Sequence, residues 1–319
     1  MIEIRGLTKR FGALTAVDAL TLDIGAGEVF GFIGPNGAGK STTMKILACL
    51  MRPDAGSAKV CGMSVLSGGD GIRRALGYMP DVLGVYDDLT VDEYLQFFAA
   101  AFGVARKKRR SVIDGVLELT DLSAKRRAMV DSLSRGMQQR LGVARVLIHD
   151  PKVLLLDEPA SGLDPRARIE MRSLLVELGR MGKALMVSSH ILSELAEMCT
   201  SIGIIERGRL LYAGSIADAY ARARAGERVS VRLEGGCGGG AAADGARCED
   251  VARALERDAR VARVTRENGH LVVDLTPGEH GHHFLIEAVI AAGGRIAAFT
   301  PQQVKLEDAF LRLTTGALQ

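Results

Sequence analysis

The sequence predicts an α/β domain built on a mixed sheet with a helical lobe, followed by a smaller α+β domain. Short β-branched runs alternate with longer helix-period segments from the N-terminus to about residue 214, the pattern of a sheet flanked by helices. Two continuous apolar runs, KVLLLD (152–157) and LMVSSH (185–190), have the composition of parallel strands buried on both faces. Beyond residue 214 the order becomes strand, helix, strand, strand, helix, strand. The 319 residues exceed what one hydrophobic core usually holds, so two domains are expected, 1–214 and 215–319.

In the first domain, EVFGFIG (28–34) reads as a strand that runs into a glycine-rich turn and then a helix starting near Lys40. Between residues 91 and 150 strand patterns stop and helical spacing takes over, which predicts the inserted helical lobe. After residue 214 an Ala/Arg-rich helix (216–225) leads to GGCGGGAAADGA (235–246), a flexible loop by composition. Around that loop lie a strand VSVRL, a helix near 250–257, strands RVTRE and LVVDL, a helix FLIEAVIAA, a strand RIAAFT and a last helix KLEDAFLRL. Without that last helix, the order is that of a ferredoxin-like unit. The N-terminal pattern occurs once, so the chain holds a single nucleotide-type domain.

Composition excludes several classes. Hydrophobic residues are 47% and charged residues 25%, which argues against disorder. With 41 basic and 38 acidic residues the net charge is +3, too balanced to indicate a nucleic-acid protein. Cys49, Cys61, Cys199, Cys237 and Cys248 are scattered without a CxxC spacing, which reads as reduced thiols in a cytosolic chain and implies no zinc site. The first residues, MIEIRGLTKRF, lack the apolar core of a signal peptide. The most apolar later stretch (284–299) is interrupted by Glu287, Gly293, Gly294 and Arg295 and cannot be a spanning helix. Any membrane role must therefore come through a partner.

GPNGAGKS (34–41) fits the G-x-x-x-x-G-K-[ST] phosphate loop and stands between a predicted strand and a predicted helix, the context such a loop needs. Gly34, Gly37 and Gly39 clear side chains from the path, with Pro35, Asn36 and Ala38 completing the loop, so that backbone N–H groups and the helix N-terminus wrap a β-phosphate. Lys40 is expected to bridge the β- and γ-phosphates and Ser41 to ligate Mg²⁺. Thr42, next in the helix, is grouped with the nucleotide contacts. VLLLDEP (153–159) ends an apolar strand in two carboxylates. Asp157 is placed to hold the magnesium's water shell, and Glu158 to polarise the attacking water as general base.

SGLD (161–164) and a histidine after SS mean little alone, since a lone histidine at a strand end is more often a satisfied surface or core residue. The ordered set of phosphate loop, LSxG, LLLDEP, SGLD and SSH resembles the ATP-binding-cassette (ABC) ATPases over residues 1 to about 214. The resemblance implies a P-loop NTPase of ABC type with ATP and Mg²⁺ as ligands. It implies that Phe11 stacks on adenine, that Val17 lies near the ribose and that Asp164 signals across a dimer. His190 would contact the γ-phosphate, and Asp81, standing where the family has glutamine, would join the magnesium site to a transporter. Two cassettes would close head to tail, with Ser134 and Gly136 of one facing the phosphate loop of the other. In LSRGMQQR, Arg135 and Met137 replace the family's glycine and glutamine, while the hydroxyl, the unobstructed N–H and the helix N-terminus are kept.

The C-terminal KLEDAFLRLTTG resembles the tail of cassettes from drug, polysaccharide and lipid exporters whose permease is a separate chain. Its other reading is an amphipathic helix with Leu306, Phe310 and Leu313 on one face. The expected function is an exporter's ATPase subunit, a homodimer held peripherally on the inner face of the membrane by its permease. Val82, Leu83, Val85, Tyr86 and Leu89 would offer the docking surface, if they do not pack within the helical lobe. The alternatives are a small-molecule kinase and a non-transport cassette working on ribosomes or DNA. A GTPase is excluded, because Asn36 and Asn268 each precede glycine and neither starts an N-K-x-D. ARKKRR (105–110) reads as a solvated helix face and HGHH (280–283) as a turn.

Overall fold

The computed structural model describes residues 1–82, 84, 86, 88–218, 228–235, 242–276 and 281–302. It divides into two compact units, Met1–Ile216 and Ala217–Gln319. The helix read at 216–225 and the last helix, KLEDAFLRL, lie wholly or mostly outside the described residues.

The first unit contains two sheets. Strands β1 (Ile2–Phe11), β2 (Leu14–Ile24), β4 (Ala55–Val60) and β5 (Met63–Ser64) form an antiparallel sheet in the order β2-β1-β4-β5. The second sheet is made of β3 (Val29–Ile33), β6 (Leu76–Met79), β7 (Val153–Leu156), β8 (Ala184–Ser189), β9 (Ser201–Glu206) and β10 (Arg209–Ser215), in the order β10-β9-β3-β8-β7-β6. It is parallel except for the edge strand β10, which pairs antiparallel with β9. Every residue of β3, β7 and β8 is buried, which is why β3 and β7 read as unbroken apolar runs rather than alternating ones, while β8 ends in two buried serines, Ser188 and Ser189.

The two sheets enclose one core with helix α1 (Lys40–Leu47). Ile2, Ile4 and Leu20 come from the antiparallel sheet, Phe30, Phe32, Leu155 and Met186 from the parallel one, and Met44 and Ile46 from α1. Truncating a side chain such as Phe32, with no exposed surface, would cost about 3–5 kcal/mol. Helix α2 (Gly69–Ala75) precedes β6. The helical lobe consists of α3 (Val91–Ala101), α4 (Arg106–Leu119) and α5 (Arg135–Leu147). Thr90 and Glu93 start α3 with a capping box in which each side chain bonds the other's backbone N–H. Helices α6 (Pro165–Arg180) and α7 (Leu192–Ala196) then flank β8 in sequence.

The second unit runs β11 (Arg228–Leu233), α8 (Ala242–Glu256), β12 (Val261–Glu267), β13 (His270–Leu275), α9 (His283–Ala291) and β14 (Ile296–Gln302). Its strands pair antiparallel in the order β12-β13-β11-β14, the topology of a split βαβ unit. Val229, Val231, Leu271 and Val273 from the sheet pack with Val251, Leu255, Leu285 and Val289 from the two helices. One expectation is corrected here: the glycine-rich loop does not extend to residue 246, because the helix already begins at Ala242. Alanine is the strongest helix former, and Ala242 and Ala243 start the helix rather than continue the glycines before them. A second correction concerns the thiols. Cys49, Cys61 and Cys199 are free, but Cys248 is disulfide-bonded. A spacing that excludes a zinc site does not exclude a disulfide.

Candidate functional site

The predicted chemical groups meet at the carboxyl ends of neighbouring parallel strands, where open α/β sheets hold their ligands. Gly34 follows β3, His190 follows β8, Asp157 and Glu158 follow β7, and Asp81 lies two residues beyond β6. These four strands are consecutive in the sheet. Residues up to 156 positions apart in sequence are thereby brought to one edge.

The phosphate loop is shaped by close backbone approaches. A side chain at Gly34 would run into the Ile205 carbonyl, and one at Gly39 into that of Ala16. Gly39 also has φ 107°, a conformation side-chain-bearing residues avoid. Pro35, Asn36 and Gly37 form an exposed crest, while Ala38 is buried and its N–H donates to the Pro35 carbonyl at 3.1 Å. The buried Lys40 Nζ donates to the carbonyls of Gly34 (2.6 Å) and Pro35 (3.3 Å) and lies 3.5 Å from Glu158 Oε1. Ser41 and Thr42 are half-buried in the first turn of α1, where helix N–H groups lack intrahelical partners.

The acidic pair is held from the neighbouring strand. Asp157 is 2% exposed; its N–H donates to the Met79 carbonyl at 2.9 Å. Its Oδ1 accepts from Ser188 Oγ at 2.6 Å, and the same Ser188 oxygen accepts the Glu158 N–H at 2.9 Å. Ser188 is thus a site residue that motif reading passed over; its only sequence signal is its place in SSH. Glu158 has φ 51°, a sharp turn that a non-glycine residue adopts at a cost of about 1–3 kcal/mol. Its Oε2 lies 2.9 Å from His190 Nδ1.

Asp81 is exposed beside this pair. Partial loss of water around the carboxylate, together with the charges of Asp157 and Glu158, raises it above the ordinary range, against the opposing fields of Arg135 and His190. Tyr78, on β6, has a buried hydroxyl with no hydrogen-bond partner. Burial first, then Asp157 and Asp81, pushes that hydroxyl up to about 12.

The LSRG and SGLD segments pack on one another within the chain. Ser134 caps α5, its Oγ accepting the Met137 N–H at 3.3 Å. Asp164 caps α6 in the same way, accepting the Ala167 N–H at 2.9 Å. A Cβ on Gly136 would stand 2.9 Å from that of Ala167, so the two helix starts are in close contact. The Arg135 guanidinium fills the space where Gly162 lacks a side chain. Phe11 is exposed at the end of β1, with Lys9 Nζ 5.6 Å from its ring centroid. Val17, in contrast, has no exposed surface and belongs to the core beneath the site.

Among the described residues no group of three or more His, Cys, Asp or Glu side chains is arranged to hold a metal. None of their helices is long and apolar enough to cross a membrane.

A phosphate loop, an acidic strand end and a histidine on adjoining strands, with a helical lobe carrying LSRG, define an ATP-binding cassette. Residues 17–161 match the family model described as ABC transporter. The chain is 40% identical over 214 residues to Nod factor export ATP-binding protein I of Burkholderia lata, an alignment covering 67% of this chain and 70% of the relative. It belongs to the ABC transporter ATP-binding family. Two solved structures are similar: the ATP-binding subunit of an ABC transporter (29% identity, TM-score 0.62, 69% of this chain and 91% of that one), and the dimeric structure of a bacterial ABC transporter cassette (25% identity, TM-score 0.62, 68% of this chain and 99% of that one).

Proposed function

We propose that the chain is the ATP-hydrolysing subunit of an exporter whose permease is a separate membrane-spanning chain. The observation that carries this reading is the Glu158–His190 pair beside the Lys40 loop, a base and its orienting partner at the edge of a phosphate cradle. The export assignment is supported by the relative's name.

In this reading Phe11 stacks on adenine, and residues 34–42 bind the triphosphate through backbone N–H groups, Lys40 and the first turn of α1. Val17 supports the ribose side from the core without presenting a free surface. Glu158 takes a proton from the attacking water, and His190 holds the carboxylate in place for that transfer. Ser41, Asp157 and Asp81 would hold Mg²⁺, which when bound neutralises charge on the phosphates. The anchoring of Asp157 by Ser188 presents one fixed carboxylate, which suits a cation that takes most of its ligands from phosphate and water.

The chain works as a homodimer through its nucleotide sites, with Ser134, Gly136 and Asp164 reaching the partner's nucleotide. The dimeric form of the similar cassette supports this. The permease docks beside Asp81, where Val82 is 80% exposed, so the subunit resides on the inner face of the membrane; Tyr86, 52% exposed, also packs its ring against Tyr94 and Phe97 of the helical lobe. Leu89 is half-buried and lies at the margin; Leu83 and Val85 fall outside the described residues. Family membership sets the small-molecule kinase aside. Affinity purification from solubilised membranes tests the remainder: a multi-spanning permease should co-purify with the chain. Recovery of ribosomes or DNA in its place would replace this reading with the non-transport one.

A further inference from the structure

Helix α6 starts at the Asp164 cap, and α7 starts two residues after His190. Arg168 and Arg172, one turn apart on α6, both reach acidic residues of the α7 segment. Arg168 Nη1 lies 3.2 Å from Glu194 Oε1, and Arg172 pairs with Glu197. The Glu194 side chain is only 15% exposed. Its Oε2 accepts from Ser189 Oγ at 3.4 Å, and that oxygen accepts the Ile191 N–H at 2.9 Å. The Glu194 carboxylate therefore holds Ser189, whose hydroxyl oxygen holds the Ile191 N–H, and joins the residues on both sides of His190 to α6.

The arrangement is a costly way to gain stability. Burial raises the Glu194 carboxyl above its usual range, the Arg168 charge being the largest opposing influence. Neither Arg168 Nε nor Glu194 Oε1 completes a hydrogen bond. Arg168 itself is 41% exposed, so solvent screens the pair on one side and it is weak evidence for stability; what it does is hold α6 to the segment after His190.

We infer that Arg168 and Glu194 are positioning residues for hydrolysis: they lock the His190 segment to the helix that begins at the SGLD loop, so that a shift of Asp164 is passed to the His190–Glu158 contact. Neither residue touches nucleotide. The inference rests on the ATPase reading above, and the test separates the two.

The full chain is assayed for ATP turnover as Arg168→Met, Arg168→Lys, Glu194→Gln and the Arg168→Met/Glu194→Gln double variant, well below the melting temperature of each. Arg168→Met and Glu194→Gln should each lower kcat about tenfold with KM for ATP within about twofold of the parent. Arg168→Lys, which keeps the charge, should recover most of the loss, and the double variant should be no slower than the worse single one. Arg168 is partly exposed, so its replacement leaves a folded chain to measure. Strictly additive losses, or kcat within about twofold of the parent in both single variants, would overturn the inference. If the parent hydrolyses ATP and Glu158→Gln does not, such a result removes only this link. An inactive parent, or an active Glu158→Gln chain, removes the ATPase reading itself.

Discussion

The imidazole Nδ1 of His190 lies 2.9 Å from Oε2 of Glu158. The two residues come from motifs 32 positions apart and from neighbouring strands, and each orients the other. His190→Ala would leave that carboxylate oxygen without its partner. The expected result is a loss of about 10²–10³ in kcat, with ATP affinity little changed, read from steady-state turnover and a separate nucleotide-binding titration.

Ser188 ties Asp157 to the backbone of Glu158 through one hydroxyl. Ser188→Ala removes both bonds and leaves a carboxylate that is 2% exposed short of a donor. The chain should lose about 1–3 kcal/mol of stability in urea denaturation, and turnover should fall with it. Parent-like values for both would show that the hydroxyl is dispensable.

Arg135 and Gly162 are a packed pair in which the guanidinium occupies the missing side chain's place. Gly162 also has φ 67°. Gly162→Ala should destabilise the chain by about 1–3 kcal/mol through backbone strain, because the exposed Arg135 guanidinium can swing away from the new methyl. The same loss should appear in an Arg135→Gly background, so a double-mutant cycle by thermal or urea unfolding should give a coupling near zero. A large coupling would mean that Arg135 is held in place and does not yield.

Cys199 packs against the face of Gly31 in the parallel sheet, and burial pushes its thiol far above the ordinary range. Cys199 keeps some exposed surface, so alkylation at pH 8 followed by mass spectrometry should modify it much more slowly in the folded chain than once the chain is unfolded. Rapid labelling of the native chain would contradict its placement.

How much of this was legible in the sequence depends on the range of the interaction. The phosphate loop and the acidic strand end are local: glycines, a lysine and two carboxylates announce themselves within eight residues. β3 and β7 were legible for the same reason, since a strand covered on both faces can be apolar throughout. Ser188 was not, because its partnership with Asp157 depends on which strands adjoin and in what register, and 31 positions separate the two. Arg135 read equally well as a charge near the nucleotide or as an exposed first-turn side chain; it is exposed in the first turn of α5, and what the sequence did not show is that its guanidinium lies over Gly162. Val17 shows the opposite limit: strict alternation from Leu20 and Leu22 would turn it away from the core, but the irregularity in β2, where Ala19 has φ 50° and the pairing with β1 shifts, turns it inward.

The most direct measurement is ATP binding and turnover by the full chain carrying Glu158→Gln, beside the parent. The glutamine keeps the shape of the side chain and removes the base. The account predicts that ATP still binds with parent-like affinity while turnover falls by at least about 100-fold. Turnover within about twofold of the parent would contradict it and take Glu158 out of the reaction.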